Sequence, residues 1–162
     1  MNKSWKLLLA ISALSAAPIL QGCLDESKAD SDSTPVPAAF TVIKTSSGGR
    51  ADHRKLEVIG SQQDFNAAYY EVSPDASLAP SVDFNTLIVI GAYMGMHATG
   101  GYSISVESVN ITEFNVEIKA KSTAPGSNCV TTQAFTSPFQ FISIAKTTKP
   151  IIFNESYTVI NC

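Results

Sequence analysis

The side chains in this sequence able to do chemistry are few and scattered: the histidines His53 and His97, the cysteines Cys23, Cys129 and Cys162, and the closely spaced methionines Met94 and Met96. Met94, Met96 and His97 are soft ligands of the kind copper(I) accepts, yet one short run of chain supplies no cage around an ion. A zinc hydrolase would need His-Glu-x-x-His and a serine hydrolase of the elbow type Gly-x-Ser-x-Gly, and neither pattern occurs. Ser103, Ser105, Glu107, Glu113 and Glu117 could be drawn together on paper as a hydroxyl and carboxylate site. Their alternation with Ile104, Val106, Val116 and Ile118 is what the solvated face of a sheet requires without any site. Gly48-Gly49 and Gly100-Gly101 lack the lysine and the helix opening of a phosphate cradle. The expectation is a protein that is not an enzyme and that carries no cofactor and no metal.

The run from Met94 to Ser103, Met-Gly-Met-His-Ala-Thr-Gly-Gly-Tyr-Ser, is the most unusual in the chain. Paired glycines between two strand-like segments suit backbone at positive φ or the close approach of another chain. A loop of this kind, held on a rigid scaffold, is where contact with a partner is expected. The candidates are Met94, Met96, His97, Thr99, Gly100, Gly101 and Tyr102, with Tyr102 as an aromatic anchor and the segment from Pro125 to Pro138 beside them.

The elements that must position this loop follow from periodicity. Phe40 to Thr45 and Lys55 to Ile59 read as strands around the turn Ser46-Ser47-Gly48-Gly49. Ser61 with Asp64 forms an N-terminal cap, and Phe65, Ala68, Tyr69 and Val72 share one helical face before Pro74. Leu87 to Ile90 is a continuous apolar run, as in a central strand. Ile104 and Val106, then Val116, Ile118 and Ala120, alternate with polar residues and predict an antiparallel hairpin. Phe139 to Ile144 and Ile151 to Phe153, divided by Thr147 to Pro150, predict another. One helix among about seven strands is an α+β single domain, a mainly antiparallel β-sheet with one helix packed on it.

The N-terminal region gives an address. Lys3 and Lys6 precede an apolar run from Leu7 to Ala17, and Leu20-Gln21-Gly22-Cys23 resembles a lipobox, so residues 1–22 are expected to be a lipoprotein signal peptide and Cys23 the lipidated residue. The apolar run is shorter than the ~20 residues a spanning helix needs, so anchoring is expected through acyl chains, each buried methylene contributing about 0.8 kcal/mol. Leu24, in place of Asp, after the cysteine favours the outer membrane of the cell envelope. Residues 24–38, LDESKADSDSTPVPA, have almost nothing to bury; residues 23–38 are read as a lipidated, disordered acidic tether reaching on the order of 20 to 25 Å, and residues 39–162 as the domain.

Loss of residues 1–22 removes two of the 11 basic residues and none of the 14 acidic ones, leaving a net charge of −5. That balance excludes nucleic acid as a partner and gives no attraction to anionic lipid heads. With Cys23 lipidated, Cys129 and Cys162 are the remaining pair, and an oxidising compartment favours a disulfide between them. A catalytic or metal-binding thiol pair would be expected in a motif such as Cys-x-x-Cys, which is absent.

Several of these residues together resemble the C-terminal domain of the PrcB family. They are Met94-Gly95, Thr99-Gly100-Gly101-Tyr102-Ser103-Ile104, Pro125-Gly126 before Cys129, Thr132-Gln133, Thr136, Pro138, and Pro150-Ile151-Ile152-Phe153. The resemblance runs most strongly from Leu87 to Phe153, with His97 and Thr131 departing from the pattern. It implies a non-catalytic lipoprotein subunit that binds and stabilises an extracytoplasmic protein complex such as a secreted protease. Two other readings attach to the loop: Thr99-Gly100-Gly101-Tyr102 is similar to the inhibitory loop of chagasin-like cysteine protease inhibitors, and the methionines and His97 would suit a periplasmic copper-binding protein.

If Cys23 carries the anchor, Cys23→Ser should move the protein from the membrane to the soluble fraction with its Cys129–Cys162 bridge intact. Fractionation followed by mass spectrometry measures both.

Overall fold

The computed structural model describes residues 34–73 and 79–162. Their elements are β1 (Val36–Ala38), β2 (Thr41–Ser46), β3 (Arg54–Ile59), α1 (Gln62–Val72), β4 (Leu87–Met94), β5 (Ser103–Ile111), β6 (Val116–Pro125), β7 (Phe139–Ala145) and β8 (Ile151–Ile160). The signal segment, Cys23, residues 24–33 of the tether and Pro74 lie outside the described residues. Among those described, no helix is long and apolar enough to cross a membrane.

The strands form two sheets, β2-β7-β4-β3 and β1-β5-β6-β8, and every pairing is antiparallel except β6 with β8. The fold is therefore α+β in one domain, as expected, but with two stacked sheets where one was anticipated. The reason lies in β4 and β7, whose residues are buried along almost their whole length. A strand with no solvent face needs cover on both sides.

On one side, α1 supplies that cover. Ser61 caps the helix, its Oγ accepting from the Asp64 N–H at 3.1 Å, and the buried stripe is Phe65, Ala68, Tyr69 and Val72. These side chains meet Val89, Tyr93, Phe139 and Phe141. Phe141 is the hub, with ring centroids of Phe65, Phe139, Tyr69 and Tyr93 at 5.2, 5.5, 5.9 and 5.6 Å. The Tyr93 ring lies over Gly91, where a Cβ would sit 2.7 Å from the hydroxyl, and that hydroxyl donates to Glu57 Oε1 at 2.5 Å. Lys55 bonds Glu71 at 2.8 Å and lies 4.6 Å over the same ring, so α1, β3 and β4 are tied at their rim.

On the other side, the second sheet supplies the cover. Ile88, Ile90, Ile142 and Ile144 pack against Val106, Val109, Val116 and Ile118. One polar group is built into this layer. A bulge between Val106 and Ser108 breaks the β5 ladder, and the buried Gln140 of β7 accepts from the Val106 N–H at 2.7 Å while donating to Thr45 Oγ1 at 3.0 Å. The outward face of the second sheet is the solvated one expected: Ser103 bonds Thr123 at 2.5 Å and Glu107 pairs with Lys121 at 3.4 Å.

Two further expectations are corrected. Val36–Ala38, read as the end of the tether, is β1, paired antiparallel with β5 from Val36↔Ile111 to Ala38↔Val109. Three residues including a proline are too few to show alternation, but a short edge strand tolerates proline, and Ala38 packs against the core. The second predicted hairpin does not form. Both edges of β7 are taken, by β2 and β4, so the chain crosses to the other sheet, where β8 runs parallel to β6 from Val116↔Ile151 to Pro125↔Ile160. The Pro150 carbonyl opens that ladder by accepting from Val116 N–H at 2.9 Å.

Removal of the Gln140 amide should isolate a buried N–H. Gln140→Ala is expected to lower unfolding free energy by about 1–3 kcal/mol in urea titrations at unchanged slope.

Candidate protein-binding surface

The loop predicted from its glycines lies at one pole of the domain, laced to the segment that follows Pro125. Gly95, at φ +81°, turns the chain out of β4, where a Cβ would meet the backbone of His53 and Arg54 at 3.1 and 3.0 Å. His97 and Thr136 exchange backbone hydrogen bonds of 2.7 and 2.9 Å, and the Gly100 N–H donates to the Thr132 carbonyl at 3.0 Å. Thr136 Oγ1 donates to the Thr99 carbonyl at 2.8 Å. A side chain on Gly100 would run into the Thr132 hydroxyl, and Gly101, at φ +91°, packs against Pro125. The paired glycines thus serve both anticipated purposes, one allowing close chain approach and one a left-handed turn.

Beside these segments, Ser137 is the fastener. Its N–H donates to Ser47, its carbonyl accepts from Gly49 at 3.0 Å, and its buried hydroxyl donates to the Ala51 carbonyl at 2.8 Å. At the other end of the segment, Cys129 and Cys162 are joined by a disulfide with Cα atoms 4.9 Å apart, and Gly126 N–H bonds the Ile160 carbonyl at 2.8 Å. On the chain-entropy account a bridge across 33 residues stabilises by roughly 3 to 4 kcal/mol.

Of the seven residues singled out in the loop, Met96 and Gly101 are exposed, and His97, Thr99 and Tyr102 are half-buried. Met94 and Gly100 are buried and present nothing to a partner. Met94 ends β4 and packs with Ala92, Ile104, Leu56 and Tyr102, because the strand continues four residues past the apolar run that revealed it. Tyr102 is not a free-standing anchor. Its ring stacks on His97 at 3.8 Å between centroids and 9° between planes.

That stacking shapes the histidine. Nε2 is buried with no hydrogen-bond partner. Burial pushes the His97 pKa below its usual value, the nearby Arg54 charge adds to this, and a hydrogen bond with the Met94 backbone works the other way. The imidazole is therefore neutral at pH 7. Among the described residues no three His, Cys, Asp or Glu side chains converge as metal ligands.

Sequence reasoning missed the most exposed apolar groups of this pole, Val130 and Phe135, at 102% and 76% exposure. The available signal was their position as isolated large apolar residues in a run of Ser, Thr, Asn and Gln. Neither 94–103 nor 126–138 contains an Asp, Glu, Lys or Arg. Two uncharged segments studded with Met, Val and Phe, bordered by Arg54, have the composition of an interface core with a polar rim. A groove of about 260 Å³, lined by Gly101, Pro125, Val130, Thr132 and Ile160 over the disulfide, runs beside them.

Residues 88–145 match the model of the family described as PrcB C-terminal, the family that the sequence resembles. The match covers β4 to β7, and with them both segments of the pole. No curated protein and no solved structure matches the chain.

Because the folded state holds His97 neutral while the unfolded chain protonates it near pH 6.5, stability should be full above that value. It should fall as pH drops through 6.5 toward the lower folded pKa. Urea unfolding between pH 7.5 and about 5 measures the slope, and His97→Phe, which keeps a ring against Tyr102, should flatten it.

Proposed function

We propose that this chain is a non-catalytic binding module, anchored at the cell envelope by lipid on Cys23, that docks to another extracytoplasmic protein and stabilises a complex such as that of a secreted protease. The observation that carries this reading is the match of residues 88–145 to the PrcB C-terminal family. The matched segment contains both loop segments of the pole, with Met96, Val130 and Phe135 exposed on them. Apolar and aromatic side chains that are exposed on a rigid, hydrogen-bonded loop pair bind without a large ordering cost, because the partner meets a surface already in place.

The mechanism would be docking. The lipid on Cys23 would hold the domain where secreted proteins pass, and the tether would set how far it reaches, raising encounter frequency without selecting a partner. Selection would rest with the pole.

The loop geometry favours this over the two other readings. A wedge inhibitor needs a projecting loop, and Thr99 to Tyr102 is clasped by Thr132 and Thr136. A copper carrier would need the Met94 sulfur, which is in the core.

Affinity capture from intact membranes tests the proposal. The tagged chain should retain at least one extracytoplasmic protein, and Val130→Ser with Phe135→Ser should reduce its recovery about tenfold or more. Equal recovery by the double variant would exclude the pole as the contact.

A further inference from the structure

β8 is a ten-residue strand with one neighbour, β6, and its other edge is unpaired among the described residues. Long exposed edges are ordinarily blunted by charge, proline or a bulge. β8 has none of these along Ile-Ile-Phe-Asn-Glu-Ser-Tyr-Thr-Val-Ile except Glu155, whose carboxylate is held by Arg54 at 3.0 Å. Ile152, Tyr157, Val159 and Ile160 are exposed.

The direction of the unpaired groups can be read from the ladder. The Pro150 and Ile160 carbonyls face β6, accepting from Val116 and Gly126. By the strand's period of two, the even-numbered residues face β6, and Ile151, Phe153, Glu155, Tyr157 and Val159 direct their N–H and C=O to the open edge. The side chains of these same residues point to the interlayer side, where Ile151 and Phe153 join the core.

From this we infer that β8 is a homodimerisation edge, pairing antiparallel with β8 of a second copy about a two-fold axis through Ser156. Paired residues must share a face, which limits the registers to those placing odd opposite odd. Centred on Ser156, the strand is self-complementary: Phe153 faces Val159, Ile152 faces Ile160, Asn154 faces Thr158, and Glu155 faces the Tyr157 hydroxyl. Centring on Glu155 would oppose two carboxylates, which is unfavourable. The chosen register gives about eight new backbone hydrogen bonds and joins two four-stranded sheets into one.

A second feature fits the same occupant. An open groove of about 360 Å³ beside the edge is lined by Arg54, Lys55, Leu56, Phe153 and Glu155. In this register Tyr157 and Val159 of the second copy lie opposite Glu155 and Phe153, so their side chains enter that groove, where Arg54 offers a cation to the tyrosine ring. β8 lies beyond the segment that matches the PrcB family, and the inference is independent of the proposed partner.

The test is a cysteine on the axis. Opposed residues in such a non-hydrogen-bonded pair have Cα atoms about 4.5 Å apart, within disulfide range. Full chain carrying Ser156→Cys, oxidised in the membranes of the expressing cell, should run mainly as a reducible dimer, and peptide mass spectrometry should show a 156–156 bridge. Glu107→Cys, on the outward face of β5, should remain monomeric. Adding Val159→Lys to Ser156→Cys should cut the dimer several-fold. If Ser156→Cys fails to accumulate, chains with Asn154→Cys and Thr158→Cys produced together should give the same link. Overturning outcomes are monomer alone, equal linking through Glu107→Cys, preferential linking of Glu155→Cys, a bridge to Cys129 or Cys162, or a linked species containing a different protein.

Discussion

In β7 every residue from Phe139 to Ile144 is buried, so the strand has no side on which water can remain. Its odd residues up to Phe141 gather the aromatic layer under α1, and its even residues Gln140, Ile142 and Ile144 face the second sheet. The helix and the second sheet are the two covers that this strand and β4 require. The alignment of the layers is fixed by Gln140, the polar residue there whose amide bridges β2 and β5, since a buried amide tolerates few positions. A layer held only by Ile and Val contacts would slide more cheaply than one that must keep that hydrogen bond.

The same strand decides where the loop pole forms. β7 begins at Phe139, directly after Pro138, whose carbonyl accepts from Met94 N–H at 2.9 Å. The segment before it is therefore delivered beside the end of β4, and the Met94 to Ser103 loop has no choice of neighbour. Close approach of the two backbones is possible because Gly100 has no side chain. Rigidity at the pole comes from backbone bonds and the disulfide, which leaves Met96, Val130 and Phe135 outside the packing.

Two exposed surfaces result, with different physics. The pole is built of loops whose segments 94–103 and 126–138 carry no charged side chain, and it is apolar at isolated points. The β8 edge is regular and offers backbone groups at a fixed repeat, which any strand of matching register can satisfy. The self-complementary order of its side chains is what singles out a second copy. The two lie in separate parts of the sequence, and a dimer through β8 would present two poles from one assembly.

Much of this was legible in residue order. The helix was readable because Ser61, Asp64 and the stripe from Phe65 to Val72 are local signals, as was the hairpin of β5 and β6, where alternation and a short turn suffice. The loop's turn and its close backbone contact were legible in its glycines, and the resemblance to the PrcB C-terminal family in residues spaced along it. The parallel pairing of β8 was not readable, because a turn-like run followed by a second apolar strand is the signature of a hairpin, and only the occupancy of both β7 edges forbids one. Nor was the split into two sheets, the burial of Met94, the stacking of His97 on Tyr102 or the exposure of Val130 and Phe135. By itself the sequence determined the local elements, the charge balance and which residues could meet water. Tertiary structure decided the partners of each strand and the sidedness of each loop, because those depend on which edges and faces are already taken by residues far away in the chain.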